Sequence, residues 1–275
     1  MNLSLSEQLA YSTIRIECQY KDGSFGTGTG FFFKLLEKKE TGEHIPVIIT
    51  NKHVINNAVS GRLLFTKVNN NEPNDQEHWN CTLHNFESLW KKHPDSTVDL
   101  CALPIAPILN IAKNDKEDIF YIPLDMSLLP TENQLNQISS LEEILMVGYP
   151  NGIWDSINNK PIFRRGVTAT SPILDYNGKK EFMIDAACFP GSSGSPVFIF
   201  NAGSYIDKKG NTYLGQSRLI LMGVLYGGPQ HTATGEVRIV TVPTSQKALS
   251  ISTIPNNLGL VIKWNRIAEL EKLFK

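Results

Sequence analysis

Along this chain short apolar or alternating runs recur between turn residues, close to the period of two that half-buried strands show. In the first half these are YSTIRIECQY, GTGFFFKLL, PVIIT, GRLLFTKV, NCTLHNF and VDLCALPI. A second set follows: EILMVGYP, FRRGVTA, EFMIDAA, SPVFIF, RLILMGVLYGG and EVRIVTVP. Two groups of six, rich in Val, Ile, Phe and Tyr, predict an all-β chain of two six-stranded antiparallel barrels. The N-terminal barrel is expected over residues 1–125 and the C-terminal barrel over 141–275. The connection lies around 106–140, where Pro, Asn and acidic residues weaken the periodicity. NNNEPNDQEHW reads as a polar loop. Only the two ends read as helical. Ser4 stands three residues before Glu7, the spacing of a capping box. In KWNRIAELEKLF, Trp264, Ile267, Leu270 and Phe274 recur at helical spacing, so a C-terminal α-helix should dock its apolar face on a barrel.

With 275 residues, 41% of them hydrophobic and 19% charged, the chain is long enough to bury one large core or two modest ones. Its 26 basic residues nearly cancel 27 acidic ones. No field of one sign therefore draws it to phosphate backbones or anionic lipid, and neither nucleic acid nor membrane is expected as a partner. MNLSLSEQLAYSTIRIE lacks the basic and apolar regions of a secretory signal, and no stretch approaches the length of a membrane span. Cys18, Cys81, Cys101 and Cys188 lie far apart without CxxC spacing, which argues against a zinc site or a disulfide framework. A reducing cytoplasm is the expected location, with no metal and no cofactor.

The strongest chemical signal is FPGSSGSPVF, residues 189–198, where glycines and a proline hold Ser193 in a tight turn before an apolar strand. Such a turn exposes a hydroxyl for attack on a carbonyl and aims backbone N–H groups, here those of Gly191 and Ser193, at the oxyanion that develops. Taken alone the string could equally be a Gly/Ser hairpin loop. In VIITNKHVI, His53 follows an apolar strand, unlike the other five histidines, which lie in polar or less structured surroundings. In STVDLCALPI, Asp99 enters an apolar run, where a carboxylate needs a partner, and a histidine N–H is one. The closely spaced Gly26, Gly28 and Gly30 do not make a dinucleotide loop, because FFFKLL continues as a strand rather than opening a helix.

In these three segments, and in their chain order His, Asp, Ser, the sequence resembles the trypsin-like, chymotrypsin-fold serine peptidases. GTGTGFFF and VGYP resemble the bacterial Deg/HtrA-type branch more than the digestive enzymes, although no PDZ-like extension follows the second barrel. The resemblance implies a serine endopeptidase acting on a protein or peptide. Ser193 is the nucleophile, His53 the general base, Asp99 the residue that orients it, and Gly191 with Ser193 the oxyanion donors. It also implies a specificity pocket with Ala187 at its base, Cys188 along its wall, and Tyr226, Gly227 and Gly228 opposite. Alanine at that base disfavours Lys or Arg as the recognised side chain, while Arg238 could favour an acidic one if it points inward. Ser192 replaces the acidic residue that pairs with a freed N-terminus in digestive zymogens, so no such activation is expected, and restraint should come from narrow specificity or, the favoured hypothesis, from a regulatory protein partner. The competing readings are a catalytically silent scaffold that binds a partner, and an esterase. The esterase's usual fold would require helices, a parallel sheet and the order Ser, Asp, His.

Overall fold

The computed structural model describes residues 3–237 and 248–275. The chain opens with α1 (Leu5–Ala10), closed at its start by the capping box: the Ser4 N–H donates to Glu7 at 2.7 Å and the Glu7 N–H to the Ser4 hydroxyl at 3.4 Å. Strands β1 (Thr13–Tyr20), β2 (Phe25–Leu35) and β3 (Ile45–Thr50) follow, then the single turn α2 (Lys52–Ile55). Next come β4 (Ala58–Asn69), β5 (Glu72–His84), β6 (Lys91–Lys92) and β7 (Cys101–Pro104). The stretch expected to be a polar loop is the tip of the long β4–β5 hairpin and the first eight residues of β5. Asn70 and Asn71 alone make its turn, with φ of 51° and 63°, a left-handed pair that asparagine tolerates and that matches strand twist.

These strands pair in the order β5-β4-β1-β2-β3-β7-β6. Among the described residues no pairing joins β5 to β6, so this half is a curled sheet and not the closed barrel expected. The seam stays open because the 3₁₀ turn Phe86–Leu89 separates the two strands and β6 is only two residues long. The connection is more ordered than its sequence suggested. It holds α3 (Ala106–Asn114), which buries Ile108 and Ala112, then β8 (Ile119–Phe120), which extends the sheet by pairing with β4, and α4 (Glu132–Leu135).

The second half contains a closed six-stranded barrel, in the order β10-β11-β18-β15-β12-β9. Its strands are β9 (Glu143–Gly148), β10 (Ile162–Thr168), β11 (Glu181–Asp185), β12 (Pro196–Asn201), β15 (Arg218–Gly227) and β18 (Leu258–Lys263). Two hairpins lie outside it, β13 (Ser204–Ile206) with β14 (Thr212–Leu214), and β16 (Gln230–Val237) with β17 (Ala248–Pro255). EVRIVTVP is therefore not the sixth barrel strand. Its first two residues end β16, the remainder, with Arg238, lies outside the described residues, and LGLVIK closes the barrel instead. The C-terminal helix is present as α5 (Trp264–Ala268), continued by a 3₁₀ turn over Glu269–Leu273 that buries Leu270.

The unbroken FFF run has a structural reason. Phe32 points into the core enclosed by the curled sheet, with Ile16, Ile48, Phe65 and Trp79. Phe31 and Phe33 point the other way, into a layer shared with Val147, Phe198, Leu221 and Ile262 of the barrel and with Ile267 and Leu270 of the C-terminal helix. Both faces of β2 are thus covered, so alternation disappears from its sequence. Phe31 and Phe33 are fully buried, each contributing about 1.5–3 kcal/mol by leaving water. The barrel has its own interior, with Met146, Phe182, Val197 and Met222.

Candidate active site

Strand β3 runs buried up to Thr50 and Asn51, and the chain then turns into α2, which lifts His53 out of the sheet. Asn51 does not cap this turn. Its side-chain amide donates to the Asp99 main-chain carbonyl at 2.8 Å and so ties the Asp99 segment to the start of α2. Asp99 lies in the loop just before β7, and the next chain segment, Cys101–Ala102, pairs with Ile49 and Thr50 of β3. Its carboxylate is bound at both oxygens. The His53 main-chain N–H donates to Oδ1 at 3.1 Å, and ring Nδ1 stands 2.5 Å from Oδ2. A carboxylate only accepts, so Nδ1 carries the hydrogen and Nε2 keeps a free lone pair on the neutral ring. The His53 side chain is half exposed and the carboxylate lies behind it.

On the facing barrel, Phe189–Ser192 is a reverse turn closed by Ser192 N–H donating to the Phe189 carbonyl at 3.0 Å. Pro190 and Gly191 are its central residues, and Gly191 has φ +84°, the left-handed value a type II turn requires there. The Asn151 N–H donates to the Pro190 carbonyl at 2.5 Å. Across a trans peptide the carbonyl and the following N–H point in opposite directions, so this bond turns the Gly191 N–H away from Asn151. Ser192, Gly194 and Ser195 donate their N–H groups to Phe189, Leu225 and Ser192 respectively. Among the described residues, those of Gly191 and Ser193 donate to nothing. Gly194 has φ +88°, and a Cβ there would stand 1.9 Å from the Thr29 carbonyl oxygen, so only glycine fits.

The Ser193 hydroxyl donates to the Tyr226 carbonyl at 3.4 Å, and no hydrogen bond joins it to His53. Tyr226 neighbours both halves. Burial first, then its bond to Glu181, then the Glu181 and Asp99 charges, hold its phenol well above the usual tyrosine range. Ser193 opens onto a cleft of about 250 Å³ whose walls include Cys188, Tyr226, Gly227 and Gly228, with Leu225 and Leu258. Ala187 does not line it. Its carbonyl faces Arg164, whose Nη1 donates to it at 2.5 Å while the guanidinium lies 4.8 Å from the centre of the Phe189 ring. Among the described residues no charged side chain lines the cleft. Leu258 was not legible as part of it, because its strand stands outside the runs expected from the sequence.

All four cysteines are free thiols. Burial raises the Cys188 thiol to about 11. Among the described residues no cluster of His, Cys, Asp and Glu could hold a metal ion, and no helix is long and apolar enough to cross a membrane.

The profile of the trypsin-like peptidase domain matches residues 28–206, well over half of the chain. The chain belongs to that family. This trypsin-like peptidase domain superposes on several solved proteases at low identity. The active form of the Rv3671c protease from M. tuberculosis is 15% identical, with 94% of this chain and 79% of that one covered, at a TM-score of 0.42. The HtrA-type protease AlgW, solved with a tripeptide, is 15% identical over 94% of this chain and 58% of its own, at 0.48. A mutant of the tobacco etch virus protease is 11% identical over 100% and 82%, at 0.49. No curated protein sequence matches the chain.

Proposed function

We propose that this trypsin-like peptidase domain is a serine endopeptidase that cleaves peptide bonds through an acyl-enzyme. The observation that carries the reading is the short bond from His53 Nδ1 to Asp99, which leaves Nε2 as a base. In the proposed reaction the Ser193 side chain rotates from the Tyr226 carbonyl toward Nε2, gives up its proton there and attacks the scissile carbonyl. The Gly191 and Ser193 N–H groups receive the oxyanion, His53 returns the proton to the leaving amine, and water repeats the sequence on the ester. Asp99 stays ionised and stabilises the imidazolium.

The cleft beside Ser193 is proposed to take the side chain on the acyl side of the bond. With no carboxylate in its lining among the described residues, a lysine or arginine there would be desolvated without a partner, so small or apolar side chains are favoured. A reducing compartment suits the four free thiols. The Ser193–Tyr226 bond also supports a second reading, a silent scaffold whose serine is held off its base.

One experiment separates the two. Wild type and Ser193→Ala are compared on a peptide library and by labelling with a fluorophosphonate probe. A peptidase labels at Ser193, favours apolar residues at the cleaved position, and loses at least ~10⁴ in turnover when the serine is removed. Absent labelling, or equal turnover of the two proteins, refutes serine catalysis.

A further inference from the structure

Thr29, on β2, is fully buried and makes polar bonds to three segments of the site. Its main-chain N–H donates to the Ser193 carbonyl at 2.9 Å. Its hydroxyl lies 3.0 Å from the Gly191 carbonyl and 3.0 Å from the Tyr149 N–H. The direction of both bonds is fixed. The Tyr149 N–H can only donate, so the hydroxyl accepts there, and its single hydrogen must go to Gly191. The Thr50 hydroxyl, three residues before His53, donates to the Thr29 carbonyl at 2.6 Å, and Gly194 packs against that same oxygen. A Cβ on Gly148 would come within 2.7 Å of the Thr29 hydroxyl, so the close fit depends on a glycine there.

We infer that Thr29 is a positioning residue that holds the oxyanion turn in its working shape, in place of an ion pair to a freed N-terminus. The inference rests on the serine-peptidase reading. The Gly191–Ser192 peptide is gripped from opposite sides, its carbonyl by the Thr29 hydroxyl and its N–H by the Phe189 carbonyl. The Ser193 carbonyl is gripped by the Thr29 N–H. Between these two fixed points the Ser193 N–H, and before them the Gly191 N–H, remain free to face an oxyanion. Ser192, where an ion pair would need a carboxylate, buries a hydroxyl with no partner among the described residues, so it does not perform this task. Thr50 ties the same clamp to the strand that carries the base, so the base and the oxyanion donors are set by one buried chain of bonds.

The test uses Thr29→Val, which keeps the shape and removes the hydroxyl, and Thr29→Ser, which keeps the hydroxyl. Thr29→Val is expected to lower kcat by about 10²-fold, the scale of losing one oxyanion donor, with KM within threefold and fluorophosphonate labelling of Ser193 slowed in parallel. Thr29→Ser is expected to recover kcat to within about fivefold of wild type. A merely structural role would change stability and leave kcat of the folded fraction intact. Should Thr29→Val fold poorly, as shown by circular dichroism, Thr29→Ala replaces it in the same comparison. Wild-type kcat in the hydroxyl-free variant, or equal losses in the valine and serine variants, overturns the clamp while labelling of wild type leaves the peptidase reading standing. If wild type itself does not label, the peptidase reading fails and the clamp fails with it.

Discussion

Replacing Asp99 by asparagine alters one atom of the histidine's partner, and the geometry dictates which way the new amide turns. The carboxylate serves two donors, the His53 main-chain N–H at 3.1 Å and Nδ1 at 2.5 Å. Asparagine offers one oxygen and one NH₂. The main-chain N–H cannot become an acceptor, so the amide oxygen must stay with it and the NH₂ must face the ring. Nδ1 is then forced to accept, the ring proton moves to Nε2, and the lone pair that would take the Ser193 proton is gone. Loss of the correct tautomer costs about 10⁴ in kcat, or about 5 kcal/mol of barrier. The fold should hardly notice, because the bond is solvent-accessible and the exchange conserves shape. At such exposure a charged pair contributes within about 1 kcal/mol of stability. Steady-state cleavage of a peptide found in the library screen measures the rate, thermal unfolding checks the fold, and ¹⁵N NMR of the imidazole reads the tautomer. Turnover within tenfold of wild type, with the protonated nitrogen still Nδ1, would refute this account of the site.

Two further expectations concern groups outside the triad. Arg218 and Glu142 form a buried ion pair, with Arg218 also bonded to Asn201 and lying over the Tyr205 ring. Glu142→Ala should cost about 3–5 kcal/mol in chemical denaturation, while Glu142→Leu combined with Arg218→Met should recover most of it, and a single-variant loss below ~1 kcal/mol would contradict the pair's burial. Cys188 is neutral until about pH 11, because burial disfavours its thiolate, so only about a thousandth is ionised at pH 8. Alkylation by iodoacetamide should therefore be slow at neutral pH, rise about tenfold per pH unit from 8 to 10, and abolish turnover by filling the cleft; rapid labelling at pH 7 would show an open, ionisable thiol instead.

The strand content was legible in two ways: strands such as β1, β10 and β11 bury one face and keep a period of two, as IRIEC does in β1, and strands such as β3, β9 and β12 are short apolar runs bounded by turn residues. The candidate positions His53, Asp99 and Ser193 stood out as sequence motifs, since a histidine after an apolar strand and a serine between glycines differ from their surroundings. What escaped reading depends on long-range pairing or on context. Closure of the first sheet turns on whether β5 reaches β6, which no local pattern encodes. LGLVIK stands outside the two groups of six because EVRIVTVP already supplies a sixth apolar run in the second half. In α3, Pro107 sits in the first turn, where it suits a helix, yet in the sequence it looked like a loop residue. Ala187 is absent from the lining of the cleft beside Ser193, and its carbonyl accepts instead from Arg164, 23 positions away in sequence, a contact no local pattern announces. Thr29 gave no signal beyond its place in GTGTG, because a buried threonine in a strand is ordinary until its four partners are in view.

The apolar layer that receives Phe31 and Phe33 on one side and Val147, Phe198 and Ile262 on the other belongs to neither half alone. Splitting the chain along that layer would expose a greasy surface on both pieces, so neither half gains by folding without its counterpart. His53 and Asp99 ride on one side of this seam and the Ser193 turn on the other. On the serine-peptidase reading, assembly of the site is thereby tied to completion of the whole fold: a half-made or partly melted chain would hold no aligned nucleophile and could not cut its neighbours before it is finished.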